Sequence, residues 1–165
     1  MTHFVSTVVA AALALFANAH ALHRTPEVYI ALERVLIDEQ PATGITVRLK
    51  AEDALVLVGE HLGSGDASSL QSAEVKNALL EAIEIALDTE PTSTLERLGV
   101  EVDGDLAFGY FSGVEDVVIK DAHVLSSVYR AWTNYVRDER AGGRELLFTQ
   151  QCPMMHHPQH RHGRR

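Results

Sequence analysis

A single cysteine, Cys152, is all the thiol this 165-residue chain carries. No intramolecular disulfide can form, so the fold must stand on burial without covalent staples. Charge is also missing where most chains have it, since no Asp, Glu, Lys or Arg precedes Arg24. Catalytic signatures are missing too. There is no His-Glu-x-x-His helix, and Gly109-Tyr110-Phe111-Ser112-Gly113 has the wrong spacing for a nucleophile elbow. Gly63-Ser64-Gly65 lacks the lysine of a phosphate loop. Glu52 and Asp53 are neighbours, about 100° apart on a helix, and read as helix-start acids rather than a catalytic pair. His61 and His123 each stand alone and read as structural residues. A non-catalytic protein is the expectation.

What occupies the uncharged start is an apolar run from Phe4 to Ala17, followed by Asn18-Ala19-His20-Ala21. An apolar core before an A-x-A site is the pattern of a secretory signal peptide. The run has 14 residues, whereas a membrane-spanning helix needs about 20, so cleavage is expected and not stable membrane insertion. Residues 1–21 are therefore read as a signal peptide and the product as periplasmic or secreted. No lipid-attachment cysteine follows the run.

From Leu22 to Gln151 the chain has 23 acidic and 11 basic residues, a formal −12, while Cys152 to Arg165 carries three arginines and no acid. An acidic body repels polyanions, so nucleic acid is not an expected partner.

Period-two alternation marks strands over Val28–Ile37 and Gly44–Leu49, with a turn expected at Pro41–Gly44. Helical patterns cover Ala51–Leu62 and the stretch from Ala73, capped by Ser72. Leu98, Val100 and Val102 alternate, as do Leu106, Phe108 and Tyr110. These two sets meet on one face only across an odd-numbered loop, so a three-residue loop ending in Gly104 is expected. A strand is expected over Val114–Val124, a helical turn over Leu125–Trp132, and a last hairpin from Tyr135–Arg140 and Arg144–Thr149 across Ala141-Gly142-Gly143. No internal repeat or interdomain linker interrupts residues 22–151. They read as one α+β domain, mainly antiparallel hairpins with about two helices.

Residues 152–165 lack apolar periodicity and read as a disordered tail. Cys152, Met154, Met155, His156, His157, His160 and His162 place one thiol, two thioethers and four imidazoles within 11 residues. Such donors suit copper, nickel or zinc, although the spacing is not that of a structural zinc site. At the other end, cleavage after Ala19 would make His20 the N-terminus, an amine–imidazole chelate with His23 nearby; cleavage after Ala21 would leave Leu22. Trp132, Asn134 and Tyr135 form the one compact aromatic–polar cluster. It reads either as a binding surface or as a core corner in which Asn134 bonds backbone.

Several short motifs carry a resemblance. They are His23; Leu32-Glu33 with Leu49-Lys50-Ala51-Glu52-Asp53; Gly99-Val100-Glu101-Val102-Asp103-Gly104; Trp132-Thr133-Asn134-Tyr135-Val136; and Leu146-Leu147-Phe148. Across residues 23–149 the chain resembles a family of small exported bacterial proteins carrying a domain of unknown function, departing at Trp132 where the family tends to have Gln. The resemblance implies export and an α+β fold, and supplies no activity. The expected function is an exported accessory or binding protein that binds a transition metal through its tail. The alternatives are an envelope protein–protein interaction module without metal, and a hydrolase of unrecognised type.

Overall fold

Alternation of apolar and polar residues drives the chain into strands that need cover on one face. The computed structural model describes residues 25–63, 69–92 and 94–150. The strands are β1 (Glu27–Ile37), β2 (Gln40–Lys50), β3 (Leu87–Glu90), β4 (Glu96–Asp103), β5 (Leu106–Gly113), β6 (Val118–Ala122), β7 (Trp132–Asp138) and β8 (Arg144–Gln150). The helices are α1 (Ala51–Leu62) and α2 (Ala73–Ile85). A six-stranded sheet has the order β4-β5-β2-β1-β7-β8, and a two-stranded sheet pairs β3 with β6. Every pair is antiparallel except β1 with β7. The α+β expectation of one domain, mainly antiparallel with two helices, is met. No helix among the described residues is long and apolar enough to cross a membrane.

One face of the large sheet is the core. Val28, Ile30 and Leu32 of β1, Ile45, Val47 and Leu49 of β2, Phe111 of β5 and Val136 of β7 are all buried. They join one cluster with Ala54, Leu57 and Val58 of α1 and Leu79, Leu80 and Ile83 of α2, to which Leu87, Ile119 and Ala122 of the small sheet also belong. Both helices keep their expected starts. The Val75 N–H donates to Ser72 Oγ at 3.2 Å, capping α2, and Gly63 closes α1 with φ 64°, a conformation that suits glycine.

Three expectations from alternation are corrected. The β1–β2 turn falls at Asp38–Glu39, both at positive φ (49° and 64°), and Pro41 to Gly44 lie inside β2. In the β4–β5 hairpin Asp103 pairs with Leu106, so the loop has two residues, not three, with Gly104 first at φ 59°. Val100 and Val102 then face Gly109 and Ala107, while Phe108 and Tyr110 turn to the opposite face. Where α2 crosses β5 the fit is close: a Cβ at Gly109 would sit 3.2 Å from Ile83 Cδ1 and 3.5 Å from Leu80 Cδ2, so the helix favours a small residue at that position, while Phe111 further along the same side is buried in the core. Finally, only Val118–Ala122 of the stretch 114–124 is strand, and it pairs with β3. The helical turn expected over Leu125–Trp132 is shorter: residues 124–128 form a turn, with Leu125 at φ 72° and the Tyr129 N–H donating to Leu125 O at 3.0 Å, and Trp132 already opens β7.

Two side-chain-bearing residues in the left-handed region strain the β1–β2 turn, since each costs about 1 kcal/mol. Replacing Asp38→Asn with Glu39→Gly, the favoured residues for such a turn, is expected to raise unfolding stability by about 1 kcal/mol in urea melts. No gain would mean that the turn is not strained.

Candidate functional site

The helices cover one face of the sheet, and the residues that alternate away from them form the other. Cross-strand partners fall in register across it. Glu101 pairs with Phe108, Phe108 with Arg48, Arg48 with Tyr29, Tyr29 with Tyr135, and Tyr135 with Leu147. One rung of the sheet thus carries an aromatic and cationic row through all six strands. Polar residues are usual on a solvated sheet face; here four of the six are aromatic or aliphatic.

The row is mutually ordered. The Tyr29 and Tyr135 rings stack at 4.9 Å between centroids, 12° from parallel. The Arg48 guanidinium lies 4.4 Å from the Tyr29 ring centre, a cation–π contact. Phe108 and Tyr110 lie 6.5 Å apart with near-parallel planes. Despite these contacts Tyr29 is 39 % exposed, Tyr135 37 % and Leu147 58 %. Among the described residues no carboxylate lies in ion-pair range of Arg48. Tyr29 and Tyr110 donate to Glu27 at 2.9 Å and to Glu101 at 3.0 Å. The Glu27 hydrogen bond holds the Tyr29 phenol above its usual pKa. Desolvation, with the Glu101 bond, does the same for Tyr110. Both therefore stay neutral, and Arg48 is the charge at the centre of the row.

A groove of about 610 Å³ runs along this face, lined by Tyr29, Thr46, Arg48, Phe108, Tyr135 and Leu147 among others. A second cleft of about 420 Å³ shares the Tyr29–Arg48 wall and adds Lys50 and Leu106. Small-molecule sites occupy about 300–1,000 Å³, so the first groove has the right size.

The structure divides the Trp132–Asn134–Tyr135 cluster by strand alternation. Tyr135 belongs to the open face. Trp132 and Asn134 point to the core, 8 % and 0 % exposed, and are not part of that surface. Asn134 instead clamps the chain: its Oδ1 accepts from the Val124 N–H at 3.1 Å and its Nδ2 donates to Val124 O at 3.3 Å. His61 and His123, read as solitary, line one cleft of about 230 Å³, with Glu81 3.9 Å from His61 and Asp121 3.8 Å from His123. No group of three or more metal-competent His, Cys, Asp or Glu occurs among the described residues. The tail candidates Cys152, Met154, Met155, His156, His157, His160 and His162, and the N-terminal His20 and His23, lie outside the described residues.

Sequence reasoning missed Tyr29, Arg48, Phe108 and Leu147. The available signal was that outward positions of predicted strands held aromatics, as in Val28-Tyr29-Ile30. No protein-family model, curated protein or solved structure matches the chain. The geometry alone carries the site.

The two roles within β7 separate experimentally. Asn134→Ala strands the Val124 N–H and C=O and is expected to cost about 2–4 kcal/mol in urea unfolding. Tyr135→Ala, on the exposed face, should cost no more than about 1 kcal/mol. Equal losses would contradict the division.

Proposed function

We propose that the chain is a non-catalytic binding protein, working outside the cytoplasm, that takes an elongated amphipathic carboxylate on its open sheet face. The observation that supports this most is Arg48, a guanidinium held by a ring and not by a carboxylate, at the middle of an apolar row. A planar carboxylate matches the free edge of that fork in a bidentate way. The rest of the row accepts the apolar body. From Phe108 to Leu147 the row crosses five strands, roughly 19 Å at sheet spacing. The export half of the reading rests on the apolar run and A-x-A sites of residues 4–21. The resemblance of residues 23–149 to small exported proteins agrees with it.

Titration calorimetry with dodecanoate and dodecanol, both below their aggregation limits, tests this. Dodecanoate should bind the wild type about ten- to a hundredfold more tightly than the alcohol, and Arg48→Gln should erase the difference. Equal binding of acid and alcohol by the wild type, or binding of neither, would sink the proposal.

The tail supports a second, separate reading, because seven soft and imidazole donors crowd residues 152–162. In this reading the tail binds copper, nickel or zinc. Changing His156, His157, His160 and His162 to Ala together should abolish tight Cu(II) and Ni(II) uptake against a competing chelator. Unchanged uptake would exclude the tail.

A further inference from the structure

The two edges of the large sheet differ in kind. β4 is guarded: its register shifts between Arg97 and Gly99, and Arg97 is tied back to α2 through Glu84 at 2.6 Å and Glu81 at 3.8 Å. Bulges and charges of this sort prevent a sheet edge from taking another strand. β8 has none of these devices. It runs in unbroken register with β7 from Asp138–Arg144 to Trp132–Gln150, contains no proline, and centres on Leu146-Leu147-Phe148. Its charges, Arg144 and Glu145, sit at one end. Leu147 is 58 % exposed, and Leu146 and Phe148 are only partly buried against the core. An edge of this composition seeks a partner strand.

We propose that the partner is a second copy of this chain, joined through an antiparallel β8–β8 pair whose two-fold axis passes at Leu147. The side-chain order of β8 selects that arrangement. Opposed residues in an antiparallel pair share a face, and a pair centred on Leu147 sets Leu147 against its own copy and Leu146 against Phe148 of the other. Glu145 then meets Thr149, and Arg144 meets Gln150. Every apolar residue opposes an apolar one, and no like charges face each other. A centre at Leu146 sets Glu145 against Leu147 and Arg144 against Phe148. A centre at Phe148 sets Leu146 against Gln150 and Leu147 against Thr149. A centre between residues places the helices of the two copies on opposite faces and breaks the core layer.

The consequence reaches the open face. Leu147 lies on the same rung as Tyr135, Tyr29, Arg48 and Phe108. A dyad at Leu147 therefore joins the two rows end to end, across a twelve-stranded sheet. The groove on each copy already reaches β8 through Glu145, Leu146 and Leu147, so the two grooves run into one. This pairing does not depend on the ligand proposed above.

Sedimentation equilibrium of the full chain tests it. An edge-to-edge contact of seven residues per strand belongs with the small interfaces, so dimer should grow in over roughly 1–100 µM. Leu147→Lys and Leu147→Glu each place like charges on the axis and should weaken self-association at least about tenfold. An equimolar mixture of the two should recover it. Far-UV circular dichroism checks that both variants keep the fold. Thr149→Lys, which would meet Glu145 of the other copy twice per dimer, should strengthen association a few-fold. A wild type that stays monomeric through this range, variants that associate as well as wild type, or a mixture that does not recover would each overturn the proposal.

Discussion

The close approach of α2 to β5 decides the character of this molecule. Ile83 and Leu80 come so near Gly109 that a Cβ there would meet them at 3.2 and 3.5 Å, and Ala107 and Phe111 on the same side of β5 are buried in the core. The hairpin turns Ala107, Gly109 and Phe111 inward and Phe108 and Tyr110 to the other face. Those aromatics meet Arg48 and Tyr29 in the neighbouring strands, and the row on the open face follows. A one-residue change in the β4–β5 loop would exchange the two sets, because the side-chain period of a strand is two. The loop is held to its length from outside the hairpin as well. The Ala51 N–H at the start of α1 donates to Asp105 O at 2.8 Å, which satisfies one of the helix's unpaired amides.

A set of polar locks keeps the long connections in place. Arg140 is the largest. Its Nε and Nη2 donate to both oxygens of Asp138 at 2.8 Å, and its Nη1 donates to Thr43 Oγ1 at 2.6 Å and to Glu115 O at 3.0 Å. The Asp138 bond pushes the guanidinium pKa further up, which keeps Arg140 charged. It fastens the end of β7 to β2 and to the loop after β5. The Tyr129 hydroxyl donates to the buried Asp53 at 2.6 Å, joining the turn before β7 to the first turn of α1. With the Asn134 clamp on Val124, these contacts fix β7 beside β1 in the one parallel pair of the sheet. That pairing brings Tyr135 onto Tyr29.

Helix α1 was legible to the residue, because its apolar spacing, first-turn acids and terminal Gly63 are all local signals. The Ser72 cap was legible for the same reason. The β1–β2 turn was not, because Pro41 and Gly44 carry stronger turn chemistry than Asp38-Glu39. Packing won: in the observed register Ile45 and Val47 lie opposite Leu32 and Ile30 in the core, and a turn nearer residue 41 would break those pairs. Likewise Leu106, Phe108 and Tyr110 looked like a core set because they are large and alternate, yet the register of the two-residue loop turns Ala107, Gly109 and Phe111 inward instead. Asn134 was readable as a backbone-bonding residue, and that is its role, but nothing local shows that its neighbour Tyr135 joins a surface built from four other strands.

By itself the sequence determined both helices, most strands of the large sheet, its antiparallel character and the absence of covalent staples, but not β3 or the short extent of β6. These depend on periodicity, capping and composition, which act over a few residues. Which face each strand turns to water was decided by the tertiary structure, and so was the row from Phe108 to Leu147. Those depend on register between segments far apart in the chain, which no local pattern carries.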